Sequence, residues 1–207
     1  MLNKLQTKIV SHFLRQPFEK YTMNELAKAL GRYHSEVRRA LHKLKALDVI
    51  NIEKIGSRTS ECSINLSADT DLLVYGSLEN KSRVPKNIKA VTRELEKNLY
   101  EHLYILVLFG SYAKGNAGYK SDIDLCFIGE DTDKFKSKVH GLLQGFSYNI
   151  DVNIFSPEEF YNMLWKRDTV GREILNSSIV LHGHDLYYTL VKMYDRQAGN
   201  SKISNTL

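Results

Sequence analysis

Apolar residues recur at helical spacing three times within the first 47 residues of the chain. The first pattern stops at Pro17, because the residue before a proline is pushed out of helical dihedral angles. The second opens on the capping box Thr22-Met23-Asn24-Glu25 and ends at Gly31, and the third begins at about Ser35. The apolar positions are Leu2, Leu5, Ile9, Val10, Phe13 and Leu14, then Met23, Leu26, Ala27 and Leu30, then Val37, Leu41, Leu44 and Leu47. These patterns predict three short amphipathic helices.

A β-hairpin is predicted next, because two partly alternating runs, residues 49–55 and 59–66, flank the turn-forming tripeptide Gly56-Ser57-Arg58. Three helices followed by a hairpin resemble the winged helix-turn-helix family over residues 1–66. The resemblance implies that the third helix lies in a DNA major groove and that the hairpin tip approaches phosphate or the minor groove. The residues that would contact DNA are Tyr33, His34, Ser35, Arg38, Arg39 and Arg58. Dimerisation or protein docking is the alternative role of such a domain.

The rest of the chain divides into a linker, a second domain and a tail. Residues 67–85 are mostly polar around one apolar cluster and end at a proline, which predicts a linker. The cluster, Leu72 to Tyr75, could form a helical turn that docks one domain on the other or pairs two chains. Residues 86–195 alternate helical and strand-like patterns, whereas residues 196–207 are polar without periodicity and predict a flexible tail. The expected fold class is therefore α+β, with an N-terminal winged helix followed by a small mixed sheet flanked by helices.

Charge is distributed unevenly between these regions. Residues 1–66 hold 12 Lys and Arg against 6 Asp and Glu, whereas residues 67–207 hold 17 against 18. This asymmetry suggests that the first domain binds nucleic acid and that the second has a different task. The longest apolar run, Leu103 to Phe109, is far shorter than a bilayer span, and Cys62 and Cys126 stand apart without metal-ligand spacing. We therefore expect a reduced, cytoplasmic setting and no membrane partner.

Residues suited to phosphate chemistry surround the buried strand predicted at 103–109. Gly110-Ser111 follows this strand, and Asp122-Ile123-Asp124 comes after ten further residues. A glycine permits a sharp turn there, and a serine at the start of a helix offers its hydroxyl and backbone N–H groups to an anion. Residues two apart in a strand face the same side, so the two aspartates repel each other unless a cation lies between them. Asp151, on the polar face of an alternating strand, is the candidate third carboxylate of a two-magnesium site.

The segments Leu108 to Gly115 and Ser121 to Leu125 resemble the nucleotidyltransferase superfamily of DNA polymerase β type, and more closely the minimal nucleotidyltransferases of prokaryotes. The resemblance covers about residues 86–195. It implies a nucleoside triphosphate, ATP by analogy, bound by Gly110, Ser111 and Lys114, and catalysis with two Mg²⁺ ions held by Asp122, Asp124 and Asp151. Such motifs often have arginines where this chain has Tyr112 and Lys114, and a lysine offers phosphate a point charge without bidentate contact.

The activity implied by the resemblance is transfer of a nucleoside monophosphate to an acceptor hydroxyl with release of pyrophosphate. Because the second domain is small, we expect a macromolecular acceptor. Minimal nucleotidyltransferases are often antitoxins that adenylylate a toxin of the HEPN class, a helical ribonuclease family, so this partner is implied, with the DNA-binding domain serving autoregulation. A winged helix that reads a palindrome would favour a homodimer. The alternatives are a nucleotide-responsive transcription regulator without turnover and a small-molecule transferase of the aminoglycoside-modifying kind.

Two other polar groups are interpreted as structural. His182 and His184 lie two apart with no third ligand nearby, which favours a short edge strand and a turn over a metal site. Arg167, Arg172 and Glu173 lie near a later helix and are interpreted as surface charge, in preference to a place in a nucleotide cleft.

Overall fold

The computed structural model describes residues 1–56, 59–118, 121–130, 132–166 and 168–204. The chain forms two compact units, one of Met1–Glu79 with Tyr188–Leu207 and the other of Asn80–Tyr187. Helices and two small sheets make up the secondary structure, which confirms the mixed α+β class. Within the described ranges we find no helix with the length and apolar character that crossing a membrane requires.

The first unit begins with three helices and a three-stranded antiparallel sheet. In chain order the elements are α1 (Lys4–Leu14), β1 (Tyr21–Thr22), α2 (Met23–Leu30), α3 (His34–Ala46), β2 (Ile50–Lys54) and β3 (Ser60–Ile64). The strand order is β1-β3-β2, so that Cys62 in the central strand pairs with Tyr21 on one side and with Ile52 on the other. The expected helices and hairpin are present, and the assignment to the winged helix family stays a prediction.

The capping box predicted before α2 is formed. The Glu25 backbone N–H donates to the Thr22 hydroxyl at 3.3 Å, and the Thr22 N–H donates to the Glu25 carboxylate at 2.7 Å. Gly31 ends the helix in the left-handed conformation, with φ of 59°. The apolar stripes of the three helices supply a large part of the buried core of this unit, including Ile9, Val10, Phe13, Leu26, Val37, Leu41 and Leu44.

Residues 67–85, predicted as a linker, contain the helix α4 (Thr70–Ser82). The pattern missed this helix because its apolar residues are spread around the helix axis and form no single stripe. Leu73 is buried, and Gly76 lies so close to α1 that a Cβ added to it would meet the Ser11 backbone nitrogen at 2.9 Å. The boundary between the two units falls inside this helix, after Glu79.

The second unit is a four-stranded mixed sheet flanked by helices. Its elements are α5 (Lys86–Asn98), β4 (Tyr104–Leu108), α6 (Gly110–Lys114), β5 (Ile123–Gly129), α7 (Asp133–Leu143), β6 (Ile150–Phe155), α8 (Pro157–Lys166), α9 (Thr169–Asn176) and β7 (Ile179–His182). The strand order is β6-β5-β4-β7, with β5 and β6 parallel and β4 antiparallel to both β5 and β7. The C-terminal end of β4 therefore lies beside the N-terminal ends of β5 and β6, and β7 occupies the expected edge position.

The central strands β4 and β5 are buried on both faces, which explains their continuous apolar runs. One face packs against α5 and α7, and α8 packs on β5 and β6. The core on the α5 and α7 side includes Ile88, Val91, Leu95, Leu106, Leu125, Phe127, Phe135 and Val139. Two buried central strands thus support the polar residues at the edge where β4 ends and β5 begins.

The last helix, α10 (His184–Ser204), continues into the residues predicted as a flexible tail. Residues 196–204 are helical, which the sequence did not indicate because their polar residues show no helical periodicity. In the part of α10 that groups with the first unit, the Lys192 ammonium donates to the Ala68 carbonyl at 2.8 Å.

Candidate active site

The three predicted acids lie together where β5 and β6 begin. Asp124 and Asp151 are each the second residue of their strand, and the two strands are parallel with Asp124 and Asp151 paired in register. Asp122 immediately precedes β5 and is exposed, as is Asp151. Because paired residues of neighbouring parallel strands project their side chains to the same face, this register brings the carboxylates of Asp124 and Asp151 close to each other.

The carboxylates act on one another electrostatically. Burial raises the pKa of Asp124 above its ordinary value, and the negative charges of Asp151, Glu173 and Asp122 raise it further. A hydrogen bond from the Ser111 backbone N–H works in the opposite direction and lowers this pKa. The site therefore carries more negative charge than its own residues neutralise, which is the property expected of a cation site.

The turn after β4 is shaped to accept the Asp124 side chain. Gly110 has a φ of 65°, in the left-handed region that favours glycine. A Cβ added to Gly110 would lie 2.6 Å from Cγ of Asp124 and would overlap its Oδ2. Ser111, next in the chain, donates its backbone N–H to the same carboxylate. The glycine and serine of the predicted phosphate-binding turn thus contact a predicted catalytic acid directly.

Lys114, the predicted phosphate-binding cation, is engaged by an acid from a distant part of the chain. Its Nζ lies 2.5 Å from Oε1 of Glu173 on α9, and both side chains are partly exposed. Glu173 also adds to the negative potential at Asp124, so this partly exposed acid, interpreted from the sequence as surface charge, acts on the three-acid site. No motif links Lys114 and Glu173, which lie 59 positions apart, and only the fold reveals the pair. Arg172 is exposed, and Arg167 lies outside the described residues.

An open cleft of about 480 Å³ adjoins the acids on the β6 side. Asp122 and Asp151 line one part of it, and the end of α7, the start of β6 and the connection between them form the rest of the wall. The rings of Phe146 and Tyr148 in this connection are nearly parallel, with centroids 6.4 Å apart. The sequence does not indicate this cleft, because the part of its wall between α7 and β6 is a loop without a motif.

The acids are suitable ligands for magnesium. Within the described ranges, no three His, Cys, Asp or Glu side chains are arranged as a complete metal site. Magnesium, however, usually binds one or two carboxylates and takes its remaining ligands from water and substrate phosphates. The excess negative charge at Asp124, together with the hard oxygen donors of Asp122 and Asp151, fits such a substrate-completed site.

The histidine pair near the C-terminus has a structural setting. The His182 ring stacks on Tyr104 with centroids 4.4 Å apart, and its Nδ1 lies 3.2 Å from Oε1 of Glu96. His184 is largely buried, and burial lowers its pKa to about 4. These contacts agree with the interpretation of the segment as an edge strand followed by a turn.

The residues predicted to contact DNA lie on an exposed face of α3. Tyr33 precedes the helix and is 80% exposed, and His34, Ser35, Arg38 and Arg39 are exposed in its first two turns. Arg58 lies outside the described residues. A groove of about 480 Å³ on this unit is lined by neutral side chains together with five basic side chains of α3 and β2. The basic side chains are His34, Arg38, His42, Lys45 and Lys54.

A mixed sheet that places three carboxylates beside a glycine-serine turn defines a domain suited to metal-assisted phosphoryl transfer. Residues 88–181 match the family model of the nucleotidyltransferase domain. The match extends from α5 to β7 and includes the turn and all three acids, so it supports a transferase of this general kind. A comparison with curated proteins finds no match.

Proposed function

We propose that this protein transfers a nucleoside monophosphate, with ATP as the first donor to test, to a hydroxyl group of a macromolecule. The observation that carries the proposal is the pairing of Asp124 with Asp151 in adjacent parallel strands. They lie beside the turn at Gly110, where any Cβ would overlap the Asp124 carboxylate. The match to the nucleotidyltransferase domain supports the general reaction.

In the proposed reaction the acceptor oxygen attacks the α-phosphorus, the bond to the bridging oxygen of the β-phosphate breaks, and pyrophosphate leaves. Asp122, Asp124 and Asp151 would hold Mg²⁺, which neutralises phosphate charge and makes the acceptor hydroxyl more acidic. Asp151 is exposed next to the open cleft, and it takes the proton from the acceptor. When the donor binds, the Lys114 ammonium leaves its ion pair with Glu173 and contacts the triphosphate.

The first experiment uses ATP labelled on the α-phosphate, Mg²⁺ and a lysate of the source cells. Wild-type protein is expected to move label onto an acceptor, and Asp124→Asn is expected to fold and to lose the transfer. Asp185→Asn, which changes an acid of the same unit outside the three-acid site, is the matched control and should retain it. Transfer by Asp124→Asn at the wild-type rate would refute the proposed role of the carboxylates.

The proposed acceptor is a HEPN-type toxin, and the proposed biological role is that of its antitoxin. The small size of the catalytic unit supports an acceptor that brings its own surface. Co-expression tests this: wild-type protein should relieve growth arrest by the toxin, and Asp124→Asn should not. Relief by both proteins would point to neutralisation by binding alone.

We also propose that the first unit is a winged helix that binds DNA, as a homodimer on a palindromic site. The basic groove that includes Arg38, Lys45 and Lys54 supports this proposal. Arg38→Ala should weaken binding of duplex DNA at all sequences and reduce the slope of log K against log salt by about one. A nucleotide-responsive regulator without turnover is the second candidate function, and it predicts DNA affinity that changes with ATP in the absence of any label transfer.

A further inference from the structure

We infer that the aromatic pair Tyr161 and Trp165 on α8 stacks against the base of the donor nucleotide, and that the donor is a purine nucleoside triphosphate. This inference rests on the proposed nucleotidyl transfer and names its donor class. The two rings lie one helical turn apart and meet edge to face, with centroids 6.4 Å apart. Trp165 is 37% exposed, so part of its indole is open to a ligand.

The acids project toward the face of the sheet that α8 covers. Ile123 and Leu125 belong to the core under α5 and α7, so Asp124, the residue between them, faces the other way. The same alternation in β6 turns Asp151 to this side. Helix α8 contacts β5 and β6, and its buried stripe lies outside the core shared by α5 and α7. The two acids and α8 therefore lie on the same face.

The direction of α8 brings Trp165 level with Asp151. Strand β6 ends at Phe155 and α8 begins at Pro157, so a helix that packs on β5 and β6 runs back along them. Trp165 lies eight residues beyond Pro157, which is a rise of about 12 Å along a helix. Strand residues advance about 3.3 Å each, so this rise corresponds to about four residues of β6, counted back from Phe155.

Helix α9 and the aromatic pair lie on opposite flanks of α8. A Cβ added to Gly171 of α9 would lie 3.2 Å from Cβ of Met163, so α9 packs against the Met163 flank. Tyr161 and Trp165 lie on the other flank, because the buried stripe of α8 runs between the two. Since Glu173 of α9 pairs with α6, which follows β4, the aromatic flank faces the β6 edge of the sheet.

A nucleoside triphosphate carries its groups in the same order as this face of the sheet. Lys114, beyond β4, is the predicted ligand of the terminal phosphates. In the proposed reaction Asp124 and Asp151 face the α-phosphate, which leaves the aromatic pair toward the β6 edge for the base. Strands β4 and β6 are about 10 Å apart across the sheet, comparable with the distance between base and terminal phosphate in an extended nucleotide.

The chemistry of the pair favours a purine. Every base has a flat π-face that can stack on an aromatic side chain. A purine covers more of the indole than a pyrimidine does, so it gains more from the burial of apolar surface. An apolar ligand or a protein side chain on the same rings would bind without regard to a triphosphate, and this difference separates such occupants from a donor base.

The emission of Trp165 reports stacking directly, because the chain has no second tryptophan. We titrate the full chain in Mg²⁺ with ATP, GTP, CTP, UTP and inorganic triphosphate, excite tryptophan selectively, and measure each affinity by calorimetry. Trp165→Leu removes the ring, and Trp165→Phe keeps one. Tyr100→Leu is the matched control, because this aromatic residue is 77% exposed in the connection before β4, at the end of the strand away from the acids. Transfer from α-labelled ATP to the cell lysate is followed in parallel.

ATP and GTP should quench the Trp165 emission and bind more tightly than CTP and UTP, whereas inorganic triphosphate should bind without quenching. Trp165→Leu should weaken ATP binding by about tenfold and leave the affinity for inorganic triphosphate unchanged. Trp165→Phe and Tyr100→Leu should stay close to wild type. ATP binding without quenching, or equal ATP affinity in wild type and Trp165→Leu, would overturn the inference, and tighter binding of CTP or UTP would overturn the purine class.

The two proposals fail separately in this design. Quenching by ATP without label transfer refutes the proposed transfer and keeps the base site at Trp165. Label transfer with unchanged Trp165 emission refutes the base site and keeps the transfer. If no nucleoside triphosphate binds to wild type, both are refuted.

Discussion

Replacing Gly110 by alanine should destabilise the second unit through two separable effects. The first is backbone strain, because Gly110 has a φ of 65° and alanine disfavours this region by about 1–2 kcal/mol. The second is overlap with Asp124, whose Cγ would lie 2.6 Å from the new Cβ. Crowding of this kind typically costs about 1–3 kcal/mol. The total expected loss in the free energy of unfolding is about 2–5 kcal/mol.

Gly31 provides the matched control for the strain. Its φ is 59°, and no described heavy atom lies within 4 Å of an added Cβ. Gly31→Ala should therefore cost about 1–2 kcal/mol in the first unit and nothing further. The excess cost of Gly110→Ala over Gly31→Ala measures the contact with the carboxylate.

Urea unfolding read by hydrogen exchange, which reports each unit separately, is the appropriate assay. A double-mutant cycle isolates the contact, because Asp124→Ala removes Cγ and Oδ2 and leaves a Cβ 3.1 Å from the new methyl group. In the Asp124→Ala background, Gly110→Ala should cost less than in wild type, although the remaining 3.1 Å contact keeps its cost somewhat above that of Gly31→Ala. Equal costs for Gly110→Ala in both backgrounds would refute the claim that glycine is required there by the Asp124 side chain.

Three further predictions concern charge. Burial and neighbouring acids raise the pKa of Asp124, so the folded chain favours the protonated carboxyl. The stability that this group contributes is therefore fully present below pH 3.8 and is lost as the pH rises through the raised pKa. Asp124→Asn should therefore unfold at higher urea than wild type at pH 7, with a difference that shrinks toward pH 3; no difference at pH 7 would contradict this. Glu173→Gln should tighten binding of a non-hydrolysable ATP analogue by about two- to fivefold in calorimetry, since it releases Lys114 from its pair, and the gain should vanish in Lys114→Ala. The pKa of His184 is about 4 in the folded chain against 6.5 ordinarily, so the neutral ring contributes about 3 kcal/mol to the free energy of unfolding above pH 6.5. This contribution is lost as the pH falls toward 4. His184→Gln should flatten the pH dependence of unfolding in that window, and an unchanged slope would refute this origin.

Features encoded by short spacings were predictable from the sequence. The capping box at Thr22, the Gly110-Ser111 turn and the alternation that marks Asp151 each depend on residues a few positions apart. Local dihedral preferences and strand periodicity suffice for these, so the sequence alone identifies the three acids as candidates. The register itself, with Asp124 beside Asp151, follows from the parallel pairing of β5 and β6.

Features that depend on distant or unpatterned residues were not predictable. Helix α4 has no apolar stripe, so periodicity could not separate it from a linker. The Lys114–Glu173 pair joins α6 to α9, and the cleft wall at Phe146 and Tyr148 belongs to a loop. Such contacts depend on how helices and loops are placed by the completed sheet, and no local preference of the residues reports that placement.

The position of Asp124 shows where folding and function compete in this domain. Its strand is buried on both faces, and the rigidity of that strand is what fixes the carboxylate against the Gly110 turn. The same burial, with three acids nearby, disfavours the charged form that a cation site requires. A cation together with the triphosphate would relieve this repulsion, so binding of both should stabilise the second unit by more than the sum of the two separate effects. Thermal unfolding with Mg²⁺, with a non-hydrolysable ATP analogue and with both tests this directly, and purely additive shifts would contradict a shared site.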